Sequence, residues 1–154
     1  MVKFINNKFQ FLKIVQLITR FILGGIFIYA SIDKIAFPSD FMKAIQGYDI
    51  LPFFLIKPVA LILPWFELIF GIFLLVGLFI KESAFVLTSL MAVFLIALGI
   101  QATKGPVEDC GCFGNLSIFS SSNIFVLFLR DLVFISLGLI IMVVESRINL
   151  TKRV

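Results

Sequence analysis

The chain has no histidine, and its only cysteines, Cys110 and Cys112, sit almost together. The first absence excludes bis-His haem ligation, His-based zinc sites and His general bases. Two thiolates alone do not complete a four-ligand metal site, so no intramolecular zinc or iron–sulfur centre is expected. Charge is also scarce: 14 % of the 154 residues are Asp, Glu, Lys or Arg, against 61 % hydrophobic. Soluble domains run at about 25 % charged and about 45–50 % apolar. A domain this small cannot hide so much apolar surface, so the excess must face lipid.

What is present is long apolar runs. Four stretches approach the roughly 20 residues that cross a bilayer. They cover about 14–37, 58–80, 83–103 and 123–145. Lacking the alternation of a β-barrel, they read as helices, the other structure that satisfies its own backbone in lipid. The expected fold is therefore an all-α integral membrane protein, one four-transmembrane-helix bundle over residues 1–154. The basic, then apolar N-terminus mimics a signal peptide. Its apolar stretch continues too long and no A-x-A site follows, so it reads as a retained first span.

The connections differ in character. Lys81-Glu82 reads as a minimal turn that makes spans two and three a hairpin. The segment between Pro38 and Lys57 has the mixed character of a short interfacial helix, with Tyr48 at headgroup level. The segment from Lys104 to Ser122 is rich in Gly, Ser and Asn and holds both cysteines. One side of the bundle carries Lys3, Lys8, Lys13, Lys81, Arg147, Lys152 and Arg153. The other carries Lys34, Lys43, Lys57 and Lys104, offset by Asp33, Asp40, Asp49, Glu108 and Asp109. The richer side should be cytoplasmic. Both termini then lie in the cytoplasm, the protein sits in the inner (cytoplasmic) membrane, and the cysteine loop meets the oxidising outer face.

Asp109-Cys110-Gly111-Cys112-Phe113-Gly114 is the sharpest feature. Thiols separated by one residue can close a small, tight disulfide ring, which suits exchange rather than stapling. Gly111 and Gly114 give the backbone the freedom such a turn needs. The plainer reading, a local structural link, stands beside the redox one. Lys104 favours the thiolate, while Glu108 and Asp109 oppose it.

Charges inside the spans come next. Glu67 and Arg130 lie at depths of roughly 13 and 10 Å from the outer ends of spans two and four, at about 1.5 Å per residue. They are expected to meet as an ion pair beneath the cysteine loop. Asp131 is an alternative partner, although it points about 100° away around the helix. An intramembrane charge marks either function or a packing pair. Pro64 is expected to kink span two and free backbone carbonyls. Arg20 is expected to snorkel to the cytoplasmic interface. Asp33 and Lys34 are either interfacial anchors or members of the Glu67–Arg130 patch. Gly24, Gly25, Gly71 and Gly77 suit close helix contact. Phe66, Phe70, Phe73 and Phe113 either line a quinone pocket or, more plainly, pack in the core and against lipid.

Taken in order, these marks resemble the DoxX-like superfamily and, within it, the methylamine-utilisation MauE branch. They are Arg20, Gly24 and Asp33-Lys34; Tyr48 and Leu51-Pro52; Pro64, Glu67-Leu68, Gly71 and Gly77; the Asp109–Gly114 motif; and Arg130-Asp131. The resemblance covers about residues 20–144. It implies a four-helix membrane protein that supports disulfide formation in an exported enzyme, working with a separate thioredoxin-like protein. The wider superfamily adds quinone as a possible cofactor. On this reading Cys110 and Cys112 carry exchange, and Glu67 and Arg130 hold the loop or a quinone headgroup. The bilayer is a partner and no nucleic acid is expected. Two other functions compete: a non-catalytic scaffold subunit of a redox complex and, ranked below it, a small transporter.

Overall fold

The structure, a computed structural model, describes residues 2–47, 51–103 and 124–153, all-helical apart from short turns. Five helices follow in order: α1 (Val2–Ala36), α2 (Pro38–Gly47), α3 (Phe53–Val76), α4 (Ile80–Ala102) and α5 (Ile124–Arg153). Four of them contain apolar stretches long enough to span a membrane, over 10–36, 53–76, 80–102 and 125–148. Only 28–33 % of each apolar window is buried inside the protein. Large side chains such as Phe21, Ile62, Ile96 and Val143 point outward. That outward surface requires a hydrocarbon surround, and the protein is a multi-pass membrane protein.

Local chemistry sets the helix ends. A residue before proline is pushed out of the α region, so α1 stops at Ala36 and Pro38 opens α2 at the position where a missing N–H costs nothing. α2 is the short amphipathic helix expected between the first two spans, with Phe41 and Ile45 buried. α3 begins at Phe53, five residues before the expected start at Pro58, because the proline that caps it is Pro52. Pro58 and Pro64 lie inside it. The hairpin turn between α3 and α4 is Gly77–Phe79, not Lys81-Glu82. Gly77 adopts φ +90°, and the Gly77 and Leu78 N–H groups both donate to the Phe73 carbonyl, at 2.9 and 3.0 Å. This is a glycine-terminated helix end. Lys81 and Glu82 fall in the first turn of α4, where Glu82 complements the helix dipole.

The four long helices form a ring in which α1 and α4 each pack against α3 and α5, while α2 packs on α3 and α1 at one end. Two tight seams set the register. A Cβ on Gly24 would lie 3.0 Å from the Gly71 carbonyl oxygen, so the α1 and α3 backbones nearly touch. A Cβ on Gly138 would lie 2.0 Å from Thr88 Oγ1, which locks α4 against α5. Small residues permit such approaches where lipid supplies no hydrophobic drive. Among the described residues a Cβ on Gly25 would meet nothing within 4 Å, and Gly25 serves no seam there. The core between the seams includes Leu23, Phe27, Leu74, Leu87, Met91 and Ile141. In the N-terminal half of α1, Gln16 donates to Glu145 in the C-terminal half of the neighbouring α5, so the two chain ends share one end of the bundle.

Candidate functional site: a buried ion pair between α1 and α3

Lys34 and Glu67 form the centre of the bundle's other half. Lys34 Nζ donates to Glu67 Oε2 at 2.6 Å, and the two residues are 2 % and 0 % exposed. The sequence places them 33 positions apart on two helices; the Gly24–Gly71 seam makes those helices antiparallel neighbours. Side chains lean toward the N-terminus of their own helix. Lys34 on α1 and Glu67 on α3 therefore lean toward each other. Two rings complete the enclosure of the ammonium: Phe41 of α2, with its centroid 5.1 Å from Nζ, and Phe94 of α4, at 5.6 Å. Both distances lie within the range of cation–π attraction.

This overturns the expected Glu67–Arg130 ion pair. α3 and α5 are diagonal in the ring, and the lysine of the adjacent helix reaches Glu67 first. Arg130 instead donates from Nε to Asp131 Oδ1 at 3.1 Å. Its long side chain bends back around the helix and closes the 100° gap. Asp131 is fully buried. Of the alternatives for Asp33 and Lys34, Lys34 belongs to the core, while Asp33 is half-buried on another side of α1.

Two carboxylate oxygens in this half find no donor among the described residues: Glu67 Oε1 and Asp131 Oδ2. A buried acceptor without a partner costs roughly 1–3 kcal/mol, and more when charged. Pro64, fully buried one turn before Glu67, adds to the local polarity. Lacking an N–H, it leaves the Ala60 carbonyl without its intrahelical donor.

Arg20 does not snorkel. Its guanidinium donates from Nε to the Leu74 carbonyl at 2.8 Å and from Nη2 to the Leu75 carbonyl at 3.1 Å. It thus satisfies the open carbonyls at the C-terminus of α3 and sits where the dipole favours a cation. Phe66, Phe70 and Phe73 form a ladder along α3, with neighbouring centroids 6.2 and 6.1 Å apart.

Sequence reasoning held Lys34 beside Glu67 only as one of two alternatives, and it missed Phe41 and Phe94. One signal was available: Leu23, Phe27, Ala30 and Lys34 recur at three- and four-residue spacing, which puts the lysine on the buried stripe of α1. Cys110, Cys112, Gly111, Gly114, Phe113 and Tyr48 lie outside the described residues. The segment that carries the cysteines leaves α4 at Thr103 and rejoins the bundle at Ile124. Among the described residues no group of three or more Cys, Asp or Glu could hold a metal ion.

These features define a polytopic membrane protein with four candidate spans and a charge-paired core. The family described as methylamine utilisation protein MauE matches residues 12–144, a range that takes in Arg20, the Lys34–Glu67 pair, both cysteines and Arg130-Asp131. The chain belongs to the MauE family. Its relatives include the methylamine utilization protein MauE of Methylophilus methylotrophus, 31 % identical over 121 residues, which are 78 % of this chain and 63 % of that protein. The MauE of Paracoccus denitrificans is 31 % identical over 123 residues, 79 % of this chain and 65 % of the relative. That of Methylorubrum extorquens is 32 % identical over 87 residues, 56 % and 47 %. The matches thus span less than two thirds of the length of these relatives. No solved structure matches the chain.

Proposed function

We propose that the chain is a membrane thiol–disulfide redox protein that serves methylamine utilisation, with Cys110 and Cys112 as its exchanging pair. In the inner membrane, with both termini cytoplasmic, the cysteines face outward and meet a thioredoxin-like partner. A thiolate of the reduced partner attacks the Cys110–Cys112 disulfide and forms a mixed disulfide, releasing one cysteine as a thiolate. The partner's second thiolate displaces the remaining cysteine. The partner leaves oxidised, and Cys110 and Cys112 hold two electrons as a dithiol. A membrane quinone then accepts those electrons with two protons, becoming the quinol and restoring the disulfide. Glu67, Arg130 and Asp131 support the outer half of the bundle where this takes place.

The reading is carried by one observation: the connection that holds the Cys-Gly-Cys motif joins α4 to α5 at the end of the bundle that contains Lys34, Glu67 and Arg130-Asp131. The family match supports it, since the named relatives act in methylamine utilisation by their own description. The test is trapping. A thioredoxin-like partner that lacks its second cysteine should accumulate as a mixed disulfide on the native chain, visible as a reducible band on a non-reducing gel, and should form none with the Cys110→Ala/Cys112→Ala protein. Full exchange by both the Cys110→Ala and the Cys112→Ala proteins would refute the mechanism.

A further inference from the structure

A cavity of about 190 Å³ lies between α2, α3 and α4, in the same half of the bundle as the buried ion pair. Its lining is apolar throughout and includes Ile45, Val59, Leu63, Val93, Phe94 and Ala97. Val93 is 63 % exposed on the outer flank of α4, so the cavity borders the lipid-facing surface rather than the bundle axis. Two of its lining residues also border the ion pair. Leu63 stands one turn before Glu67 on the same stripe of α3. Phe94 forms a wall with the cavity on one side and the Lys34 ammonium 5.6 Å from its centroid on the other. Beyond that wall Glu67, fully buried, keeps Oε1 without a donor among the described residues.

We propose that this cavity is a lipid-side binding pocket for a small hydrophobic molecule that carries a hydroxyl group, the body filling the apolar space and the hydroxyl donating to Glu67 Oε1 when the Phe94 ring rotates aside. Each part of the ligand class follows from the site. The lining accepts only an apolar body. Lys34 already neutralises Glu67, so a charged ligand would bring an uncompensated charge out of water, whereas a neutral one enters from the bilayer. The open valence at Glu67 is an acceptor. It selects an O–H donor and repels a molecule whose only polar group is a carbonyl or an ether. The binding does not depend on the cysteines. It rests on the redox reading only for its use, where it assigns the pocket to the reduced, hydroxyl-bearing form of the lipid-soluble carrier.

The probe pair is 4-hexylphenol and 4-hexylanisole, which differ in the hydroxyl. Saturable binding to the full chain in nanodiscs, corrected by empty nanodiscs for partition into lipid, should favour the phenol by roughly tenfold or more, the value of a hydrogen bond to a charged acceptor. Glu67→Gln should shrink the phenol-to-anisole affinity ratio, a ratio that a loss of folded protein by itself leaves unchanged. Leu63→Trp should remove saturable binding of both. Ala97→Phe fills the cavity from the facing wall and provides the same block should the tryptophan variant fail to fold. The Cys110→Ala/Cys112→Ala protein should bind as the native chain does, which separates this proposal from the thiol mechanism. Equal binding of phenol and anisole, no saturable binding of either, or binding untouched by both filling variants would overturn it.

Discussion

Lys34→Met tests the central claim that one buried ion pair holds α1, α3 and α4 together in the half of the bundle away from the chain ends. The native pair is a charge-assisted hydrogen bond of 2.6 Å between side chains 1 % and 0 % exposed. Removing one member leaves the other charged or forces it to neutralise, and breaking a buried pair in this way costs about 3–5 kcal/mol. Lys34→Met also removes the cation from between Phe41 and Phe94, where each ring contributes about 0.5–2 kcal/mol at most. Glu67→Gln should cost a similar amount from the other side, because it strands the ammonium. The double replacement Lys34→Met/Glu67→Leu should recover most of the loss, since an apolar pair of similar volume needs no desolvation of charge. The assay is reversible unfolding in mixed micelles, read as a double-mutant cycle with Glu67→Leu as the second single variant. Single variants within about 1 kcal/mol of native, or a double variant that costs the sum of the singles, would refute the reasoning.

Two further predictions follow from the fold. Gly77→Ala should destabilise the chain by roughly 1–2 kcal/mol for its left-handed backbone alone, and by more because the new Cβ would stand 2.5 Å from Arg20 Nη2. Gly138→Ala should also destabilise, with partial rescue by Thr88→Ala, whereas Gly25→Ala, which meets nothing among the described residues, should be neutral or gain about 0.5–1 kcal/mol. Thermal melts of the purified variants rank all of these, and a costly Gly25→Ala would contradict the helix packing. As to orientation, an impermeant maleimide added outside intact cells should label reduced Cys110 and Cys112 but not a cysteine introduced at Arg153. The reverse pattern would invert the charge-based topology.

Hydropathy carried the fold because crossing a membrane is a local property. A run of about 20 apolar residues satisfies the bilayer whatever its neighbours do. The helix ends were less legible. Pro58 looked like a start, yet Pro52 caps α3, and helices in lipid tolerate internal prolines. The hairpin between α3 and α4 turns on Gly77, a residue read as a packing glycine, because a left-handed helix end needs glycine while Lys81-Glu82 suits a first helical turn. At the site, Glu67, Arg130 and Asp131 were recognisable one by one as charges out of place. The pairs observed stood among the alternatives but could not be chosen over Glu67–Arg130, since a depth estimate along each helix says nothing about which helices are neighbours.

From its residues alone, then, this chain is an all-helical four-span membrane protein of the MauE kind, because hydropathy and short motifs are sums over nearby residues. The tertiary structure decided the rest. Glu67 pairs with Lys34 and not Arg130, Arg20 closes the end of α3 rather than reaching for the interface, and Phe41 and Phe94 flank a buried ammonium. Those outcomes depend on adjacency in the ring and on register. Both are set at two contacts between distant residues, Gly24 with Gly71 and Thr88 with Gly138, where the absence of a side chain lets the backbone approach.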